Sequence, residues 1–356
     1  MSDAPVTLSH VAREAGVSLA TASRAINGSA TRSVREDLRE RVLETARRLG
    51  YSPDPSAQAM ARGRTTALGL VVHDIADPYF STIAAGVARA AEREGLIVTL
   101  ASTEQRRDRE LAFVELARRQ RSRAIILAGS RLVPLRDVPE EASAEALAQR
   151  QAEDTALESA LTAFRDAGGG VATIGQAVGD LPVVEIDNAG GAGALARALH
   201  DRGYRRFGVL AGPPGLRTAA DRTTGFLDTL DALGCPVPAG SVVPGDFTRD
   251  GGYTAMARLL SARADLPQVV FAVNDVMAVG AMAAVREAGL SVPDDVAVAG
   301  FDDIHTLRDV SPGLTTVRIP LAEIGSLATA LALGRAEGSR APVHGEVVLR
   351  DSTPPR

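Results

Sequence analysis

Residues suited to holding a small hydroxyl-rich molecule lie at or just beyond the ends of predicted strands. A guanidinium group offers forked donors, a carboxylate accepts from adjacent hydroxyl groups, and an asparagine amide does both. Aromatic rings can stack against the apolar face of a sugar ring. The residues with these properties are Asp74, Tyr79, Phe80, Asp187, Asn274 and Asp302, with Arg222 slightly deeper in the helix after its strand. Their common placement predicts one ligand-binding cleft.

Each of these positions also has an ordinary structural interpretation. Arg222 could be a solvated helix arginine, and Asn274 could cap the helix that starts at Asp275. Asp302 could be a turn residue, and Phe80 could belong to the core. Taken singly, both interpretations stay open. Their co-location at strand ends favours a binding site.

Parallel sheets are needed to bring these positions together. From Ala67 onward, short apolar runs (Leu68–Val72 to Thr315–Ile319) alternate with amphipathic stretches (Phe80–Glu94 to Leu321–Leu333). Strand–helix–strand alternation predicts an α/β body with helices on both faces of its sheets, and the number of strands favours two sheets side by side. Residues 131–153 form a long, charged, proline-containing stretch, predicted as a loop with some helix and without an assigned role.

The first fifty residues predict three short helices. Thr7 caps a helix over 8–15, Gly16 permits a tight turn, and Ser18 caps a helix over 19–26 that ends at Asn27. Two short helices around a glycine turn are typical of a helix-turn-helix, whose second helix enters the major groove. The third helix begins at a capping box, Ser33 to Glu36. A generic three-helix bundle is the alternative.

A short helix is predicted between these two parts. Asp54 is a candidate N-cap, Pro55 suits the first helical position, and Gly63 suits the position after the helix. Isolated helices become marginally stable only at roughly 12–15 residues, so this one needs a partner to form. A flexible linker is the alternative, and the capping signals at both ends argue against it.

The amino-terminal segment resembles the LacI/GalR family of bacterial transcription regulators. The strings Val11-Ala-Arg-Glu-Ala-Gly-Val-Ser18 and Thr21-Ala-Ser-Arg24-Ala-Ile-Asn27 carry the resemblance most specifically, with support from 39–53 and 57–61. It implies a homodimer that places two recognition helices on a pseudo-palindromic operator in double-stranded DNA, while paired hinge helices open the minor groove. The DNA-binding positions it implies are Thr7, Ser18, Leu19, Ala20, Thr21, Ser23, Arg24, Asn27, Ala57 and Met60.

These DNA-binding positions divide by role in the family. Leu19, Ala20 and Arg24 fall where members read base edges, whereas Ser18, Thr21 and Ser23 fall at phosphate contacts. Met60 stands where a leucine is usually wedged between base steps. The sequence departs from the family at Asp54 and Pro55, where an asparagine and a basic residue are more usual. The link 28–33 to the third helix is also longer than usual.

The body resembles the periplasmic-binding-protein-like effector domain of the same family. The resemblance implies that Arg222, Asn274 and Asp302 contact an effector, followed by Asp74 and Phe80, and then by Tyr79, Gln105 and Asp187. It predicts a helix-turn-helix domain at 1–53, a hinge at 54–66 and an effector-binding and dimerisation domain at 67–356. The last divides into an N-lobe (about 67–201 and 316–337) and a C-lobe (about 202–315 and 338–356).

Composition and charge limit the classes of protein to which this chain can belong. Residues 1–64 carry a net charge of +3 (ten Arg against seven Asp and Glu) and the remainder −8, which together give the total of −5. This small basic head on an acidic body hints at an anionic partner for the head.

No apolar run approaches the roughly 18 residues of a membrane span. With no secretion signal at its start and a single cysteine, Cys235, the sequence predicts a cytoplasmic protein without a metal or cofactor.

The resemblance implies a repressor controlled by a small effector, most simply a sugar, and other functions compete with this one. Gly191-Ala-Gly193-Ala-Leu-Ala196 matches a dinucleotide-binding pattern, but the next strand ends without the carboxylate that a ribose requires, so a nicotinamide-dependent enzyme is disfavoured. A free solute-binding protein would need export, which the missing signal opposes. A purine or nucleoside effector stays open beside a sugar.

Overall fold

The chain divides into two units, Met1–Thr66 and Ala67–Arg356. The computed structural model describes residues 6–27, 34–52, 64–129, 144–213, 215–262 and 266–356, with 144–147 described by their backbone alone. The second unit begins at the residue where the sequence predicted the ligand-binding body to begin.

Local capping determines the helices of the first unit, which are α1 (Leu8–Glu14), α2 (Leu19–Asn27) and α3 (Glu36–Leu49). Thr7 Oγ1 accepts from the His10 amide (3.4 Å) and Ser18 Oγ accepts from the Thr21 amide (3.1 Å), as predicted. The chain turns between α1 and α2 at Gly16, whose φ of +64° favours glycine. These local signals explain why the first two helices lie where the sequence placed them.

The third helix starts differently from the prediction. Arg35 precedes α3 and makes no side-chain cap hydrogen bond, and Ser33 of the predicted capping box lies outside the described residues. The acidic first turn, Glu36 and Asp37, favours this end of the helix instead, because carboxylates stabilise the positive end of the helix dipole. Buried Val11, Ala22 and Val42, one from each helix, form the centre of a small shared core.

The first sheet of the second unit contains six parallel strands in the order β11-β5-β4-β3-β1-β2. Its strands are β1 (Ala67–Val72), β2 (Ile97–Ser102), β3 (Ala124–Gly129), β4 (Gly170–Gly175), β5 (Val183–Ile186) and β11 (Arg340–Val343). Helices α4 (Pro78–Arg93) and α11 (Leu321–Ala332) cover one face, and α5 (Arg107–Arg119) and α6 (Ala144–Asp166) cover the other. At Gly86 the backbones of α4 and α11 approach so closely that a Cβ would lie 2.0 Å from the Ala322 carbonyl oxygen.

The second sheet contains four parallel strands in the order β7-β6-β8-β9. They are β6 (Phe207–Ala211), β7 (Val242–Pro244), β8 (Val269–Ala272) and β9 (Ala297–Ala299), packed by α7 (Asn188–Asp201), α8 (Arg217–Ala232), α9 (Arg249–Ser261) and α10 (Asp275–Glu287). Short 3-10 helices lie at Ala239–Ser241 and His305–Asp309. Apolar side chains of both sheets belong to one continuous core.

The chain crosses between the two sheets at three places, and these correct the predicted lobe boundaries. Helix α7 packs on α8 rather than on the first sheet, and a Cβ at Gly225 would lie 2.3 Å from the Ala189 carbonyl oxygen. The first crossing therefore precedes Asn188, not Arg202. Strand β11 pairs with β5, so 340–343 belong to the first sheet and not to the C-lobe. At the other two crossings the chain runs through β10 (Thr316–Arg318) and β12 (Glu346–Val348), which pair with each other in antiparallel fashion.

The segment without an assigned role is helical from Ala144 onward, since α6 runs to Asp166. The sequence predicted a loop with some helix over 131–153 and a separate helix from Thr155. Strands β7, β11 and β12 were not predicted. None of the described helices is both long and apolar enough to cross a membrane.

Candidate functional site

A cavity of about 710 Å³, here called the cleft cavity, lies where strands of both sheets end. It brings together almost all of the predicted ligand residues. Those that line it are Asp74, Tyr79, Phe80, Gln105, Arg222, Asn274 and Asp302. Asp187 does not line it: its carboxylate accepts from the Gly190 amide at the start of α7 (2.9 Å) and lies 3.0 Å from His344 Nδ1.

Arg222 is the centre of a buried hydrogen-bond network and is only 1% exposed. Its Nε donates to Asn188 Oδ1, Nη1 to the Val273 carbonyl and Nη2 to Asp302 Oδ1, each at 2.8 Å. The guanidinium also lies over the Phe301 ring, 3.8 Å from its centroid. Three of the five N–H donors are used within the described residues, so one on each Nη can reach a molecule in the cavity. The solvated-arginine interpretation is therefore wrong.

Asp302 combines an ion pair with an unusual backbone. Its φ of +121° lies in a region that L residues rarely adopt, and its amide donates to the Val317 carbonyl (2.8 Å). Burial raises the pKa of the Asp302 carboxyl to about 7, while the Arg222 guanidinium acts in the opposite direction. Asp302 lines the cavity, and its role as a ligand contact stays a prediction.

Asp275, beside this site, is fully buried and was not among the predicted ligand residues. It accepts from Thr316 Oγ1 (2.6 Å) through one oxygen and from the Ile304 amide (3.0 Å) through the other. Burial raises the pKa of the Asp275 carboxyl to about 6, against the lowering effect of these two hydrogen bonds. Asp275 thereby fixes the segment that carries Asp302 to the start of α10.

Asn274 performs the capping role that was the alternative to ligand binding. Its Oδ1 accepts from the Met277 amide at 2.9 Å, at the start of α10. The same side chain lines the cavity, and its Nδ2 can donate two hydrogen bonds. The cap holds the amide in place without using its donor group.

An aromatic wall comes from the start of α4. The Tyr79 and Phe80 rings meet edge to face, with centroids 5.0 Å apart. Asp77 accepts from the Tyr79 amide (2.9 Å) and so caps the helix that carries both rings. Phe80 belongs to the core and also lines the cavity. Burial raises the pKa of the Tyr79 hydroxyl, so it stays a donor at neutral pH.

The sequence missed the part of the cavity that follows β7. Phe247 and Thr248, between β7 and α9, and Arg249, the first residue of α9, line it, and Thr248 Oγ1 accepts from the Gly251 amide (3.1 Å). Strand β7 contains three residues, too few to show a periodic pattern. The Thr248 cap was the available signal.

The predicted DNA-binding residues of the first unit lie mostly on the accessible side of α2. Ser18 and Ala20 are exposed, as is Leu19 at 52%, whereas Thr21, Ser23 and Arg24 are half-buried. Ser18 Oγ lies 2.9 Å from Thr21 Oγ1, and Asn27 Nδ2 donates to Ser23 Oγ (3.3 Å). Thr7 is exposed and caps α1. Ala57 and Met60, with Asp54, Pro55 and the rest of the predicted hinge helix up to Gly63, lie outside the described residues.

The glycines of the dinucleotide-like pattern serve packing. A Cβ at Gly191 would lie 2.9 Å from the Phe301 ring, and one at Gly193 would lie 2.7 Å from Thr229 Oγ1. No group of three or more His, Cys, Asp or Glu residues in the described part of the chain could hold a metal ion.

Comparisons with known proteins agree with this two-part architecture. Residues 7–54 match the family of bacterial regulatory proteins, lacI family, and residues 196–353 match a periplasmic binding protein-like domain. The chain is 33% identical to the HTH-type transcriptional regulator GalS of Salmonella typhimurium, over 94% of this chain and 91% of that one. It is 32% identical to the HTH-type transcriptional repressor PurR of Photorhabdus laumondii, over 97% and 96% of the two chains.

Solved structures share the fold along nearly the whole chain. A Lac repressor dimer bound to operator and an anti-inducer aligns with a TM-score of 0.81 at 24% identity, covering 99% of this chain and 100% of that one. The transcriptional regulator CelR in complex with cellobiose aligns with a TM-score of 0.65 at 29% identity, covering 98% and 99%. The chain thus belongs to the LacI family of bacterial regulatory proteins, whose members are transcriptional regulators and not nicotinamide-dependent enzymes.

Proposed function

We propose that this chain is a homodimeric repressor whose affinity for a pseudo-palindromic operator is controlled by a sugar or sugar derivative bound in the cleft cavity. The observation that carries the proposal is the buried Arg222 network, which presents forked donors and a carboxylate opposite an aromatic wall. Donors and acceptors for adjacent hydroxyl groups, beside rings for an apolar face, are the combination that a sugar requires.

The effector acts by changing the arrangement of the two sheets. Asp74, Tyr79 and Phe80 follow the first sheet's β1, whereas Arg222, Asn274 and Asp302 belong to the second. A ligand that touches both groups favours arrangements in which they lie close together. The two halves already touch at Gln176 Nε2, which donates to Thr218 Oγ1 at 3.0 Å, and Thr218 also lines the cavity.

Strand β1 offers a physical route from the cavity toward the head. It begins at Ala67, directly after the first unit, and leads at its other end into His73 and Asp74 of the cavity wall. A displacement of the cavity wall therefore also displaces the residues that join the body to the predicted hinge. The hinge helix and the Met60 wedge stay predictions from the sequence.

The edge of the first sheet supports the homodimer. Strand β2 is an edge strand with Ile97 71% exposed and Leu100 38% exposed. A long exposed edge strand with apolar side chains is normally covered, and a second copy of this chain is the partner that the proposal requires. An Ile97→Asp variant is expected to sediment as a monomer and to bind operator more weakly.

Titration of full-length protein with operator DNA, with and without candidate effectors, tests the function. Coupling is reciprocal, so operator must change effector affinity by the same factor by which effector changes operator affinity. A thermal-shift panel of sugars, purines, nucleosides and NADH selects the effector first. Equal operator affinities with and without every stabilising sugar would refute sugar control, and stabilisation by a purine or nucleoside alone would replace the effector class.

A further inference from the structure

A second cavity of about 530 Å³, here called the annex, adjoins the cleft cavity and shares His73, Gln105 and Leu216 with it. Both volumes lie within the ~300–1,000 Å³ typical of small-molecule sites. The rest of the annex is lined by Arg106, Arg107, Asp108, Gln149, Arg150 and Glu153. The last three lie on the part of α6 that the sequence predicted as a loop with some helix, without an assigned role.

Buried charges fix the annex wall in place. Arg107 Nη1 donates to Glu110 Oε2 (3.2 Å), and its Nε lies 2.9 Å from Asp154 Oδ1, which ties α5 to α6. Glu110 is 1% exposed, and its other oxygen lies 3.6 Å from His73 Nε2. Two ion pairs and the contact of Glu110 with His73 connect α6 to a ring that lines both cavities. The annex wall is therefore preformed by contacts within the protein.

The chemistry of the annex suits a neutral polyhydroxyl group better than an anion. Arg106 holds Asp108 through two hydrogen bonds (3.1 and 2.6 Å), and Gln149 Nε2 donates to Glu153 Oε1 (3.1 Å). With Arg107 between two carboxylates as well, two of the three arginines that line the annex, Arg106 and Arg107, already pair with carboxylates. A phosphate or carboxylate would have to displace these partners, whereas a hydroxyl group can donate to the carboxylates and accept from the amide and guanidinium groups.

Gln105 stands at the boundary of the two cavities in a strained backbone. Glu104 and Gln105 have φ values of +53° and +62°, in the left-handed region that L residues usually avoid. Such strain persists where the surroundings impose it, and it is frequent at ligand clamps. Gln105 lines both cavities, so its amide can bridge hydroxyl groups of neighbouring rings.

Building on the proposed sugar response, we propose that the annex is a second sugar subsite and that the effector is a neutral oligosaccharide of at least two rings. One ring occupies the cleft cavity against Tyr79 and Phe80. The second ring lies beyond Gln105 in the annex, where side chains from the amino-terminal half of α6 contact it.

Calorimetric titration of the full-length protein with mono- and disaccharides tests the subsite. The panel contains glucose, galactose, cellobiose, maltose, lactose and glucose 6-phosphate. At least one disaccharide is expected to bind about tenfold or more tightly than its component monosaccharides, which corresponds to about 1.4 kcal/mol. Gln149→Trp fills the annex and is expected to abolish this preference without changing monosaccharide affinity, and Gln149→Ala to reduce it partly. Both variants replace an exposed side chain, so the fold is kept.

Gln151→Trp is the matched control, since it lies two residues further along α6, is exposed and does not line the annex. It is expected to bind every sugar as the unchanged protein does. Equal binding of disaccharides and their component monosaccharides, a preference that survives Gln149→Trp, or tightest binding of glucose 6-phosphate would each overturn the subsite while leaving sugar control intact. Absence of binding by every sugar would overturn the proposed function itself.

Discussion

The recognition helix and the cleft cavity hold their polar residues in opposite ways. On α2 and just before it, side chains bond to neighbours three or four positions away, as in Ser18 with Thr21 and Asn27 with Ser23, and Leu19 stays exposed. In the cavity, Arg222 is buried and bonds to Asn188 and Asp302, which are 34 and 80 positions away. Surface residues held locally can change with little cost to the fold, whereas the buried cavity residues stabilise the fold in addition to their proposed role in ligand binding.

The largest effect that would test this comparison is expected at Arg222. Arg222→Ala removes the partner of a buried carboxylate and two further hydrogen bonds, so the free energy of unfolding should fall by about 3–5 kcal/mol. Sugar binding should be lost at the same time. Urea denaturation and calorimetry measure the two effects. Arg249→Ala is the control, because Arg249 also lines the cavity and, among the described residues, forms an ion pair with the exposed Asp250 alone (2.9 Å). Equal losses of stability in the two variants would contradict the central role of Arg222.

A pH-dependent effect is expected at Asp275. Its folded-state pKa of about 6 exceeds the ordinary 3.8, so the folded protein binds the proton more tightly and the wild type loses stability as the pH rises from 4 to 6. Asp275→Asn keeps the geometry without this loss. It should therefore be more stable than the wild type by about 2–3 kcal/mol at pH 8 and almost equal at pH 4.

Urea denaturation at pH 4, 6 and 8 measures the difference between Asp275→Asn and the wild type. Asp231→Asn, an exposed substitution on α8, is the control and should show no such trend. A difference that does not grow with pH would show that burial of the Asp275 charge costs little.

A smaller effect, confined to DNA, is expected on the recognition helix. Arg24→Ala should weaken operator binding by about 1–3 kcal/mol if Arg24 reads a base, and should leave sugar binding unchanged. The free energy of unfolding should change by less than about 0.5 kcal/mol, since Arg24 is a half-buried surface residue. Fluorescence anisotropy with operator and with random DNA measures the binding. Arg41→Ala, an exposed substitution on α3, serves as the control. Loss of sugar binding in Arg24→Ala would contradict the expectation that the recognition helix and the cleft cavity act independently.

The smallest effect is expected at the cap of α1. Thr7→Ala removes a single hydrogen bond of 3.4 Å, so the free energy of unfolding of the first unit should fall by about 0.5–1 kcal/mol. Thr7→Ser keeps the hydroxyl and is the control. Thermal unfolding followed by circular dichroism compares the two. A loss as large as that of Arg222→Ala would mean that local caps matter as much as the buried network.

Short-range signals explain what the sequence could predict. Caps at Thr7 and Ser18 and the turn at Gly16 define α1 and α2 because the groups involved lie within one helical turn. The strands and helices of the body follow from apolar periodicity. Most of the cavity residues were found because they follow strands of parallel sheets, which place their carboxyl ends together.

Long-range pairing explains what was missed. Strands β7, β11 and β12 contain three or four residues, none of them buried, and pair with strands elsewhere in the sequence, so no buried apolar run marks them. The lobe boundaries were misplaced for the same reason, since the close packing of Gly225 on Ala189 decides where α7 belongs.

The sequence by itself determined the caps, the alternation of strands and helices, and the kinds of side chain available at the strand ends, because these depend on neighbours along the chain. Only the tertiary structure decided that Asp187 caps a helix while Phe247 and Thr248 join the cavity, and that Asp275 is buried without a charged partner among its hydrogen bonds. It also placed the start of α6 beside Gln105. These outcomes depend on contacts between residues far apart in sequence. A local sequence pattern gives no information on the free energies of such contacts.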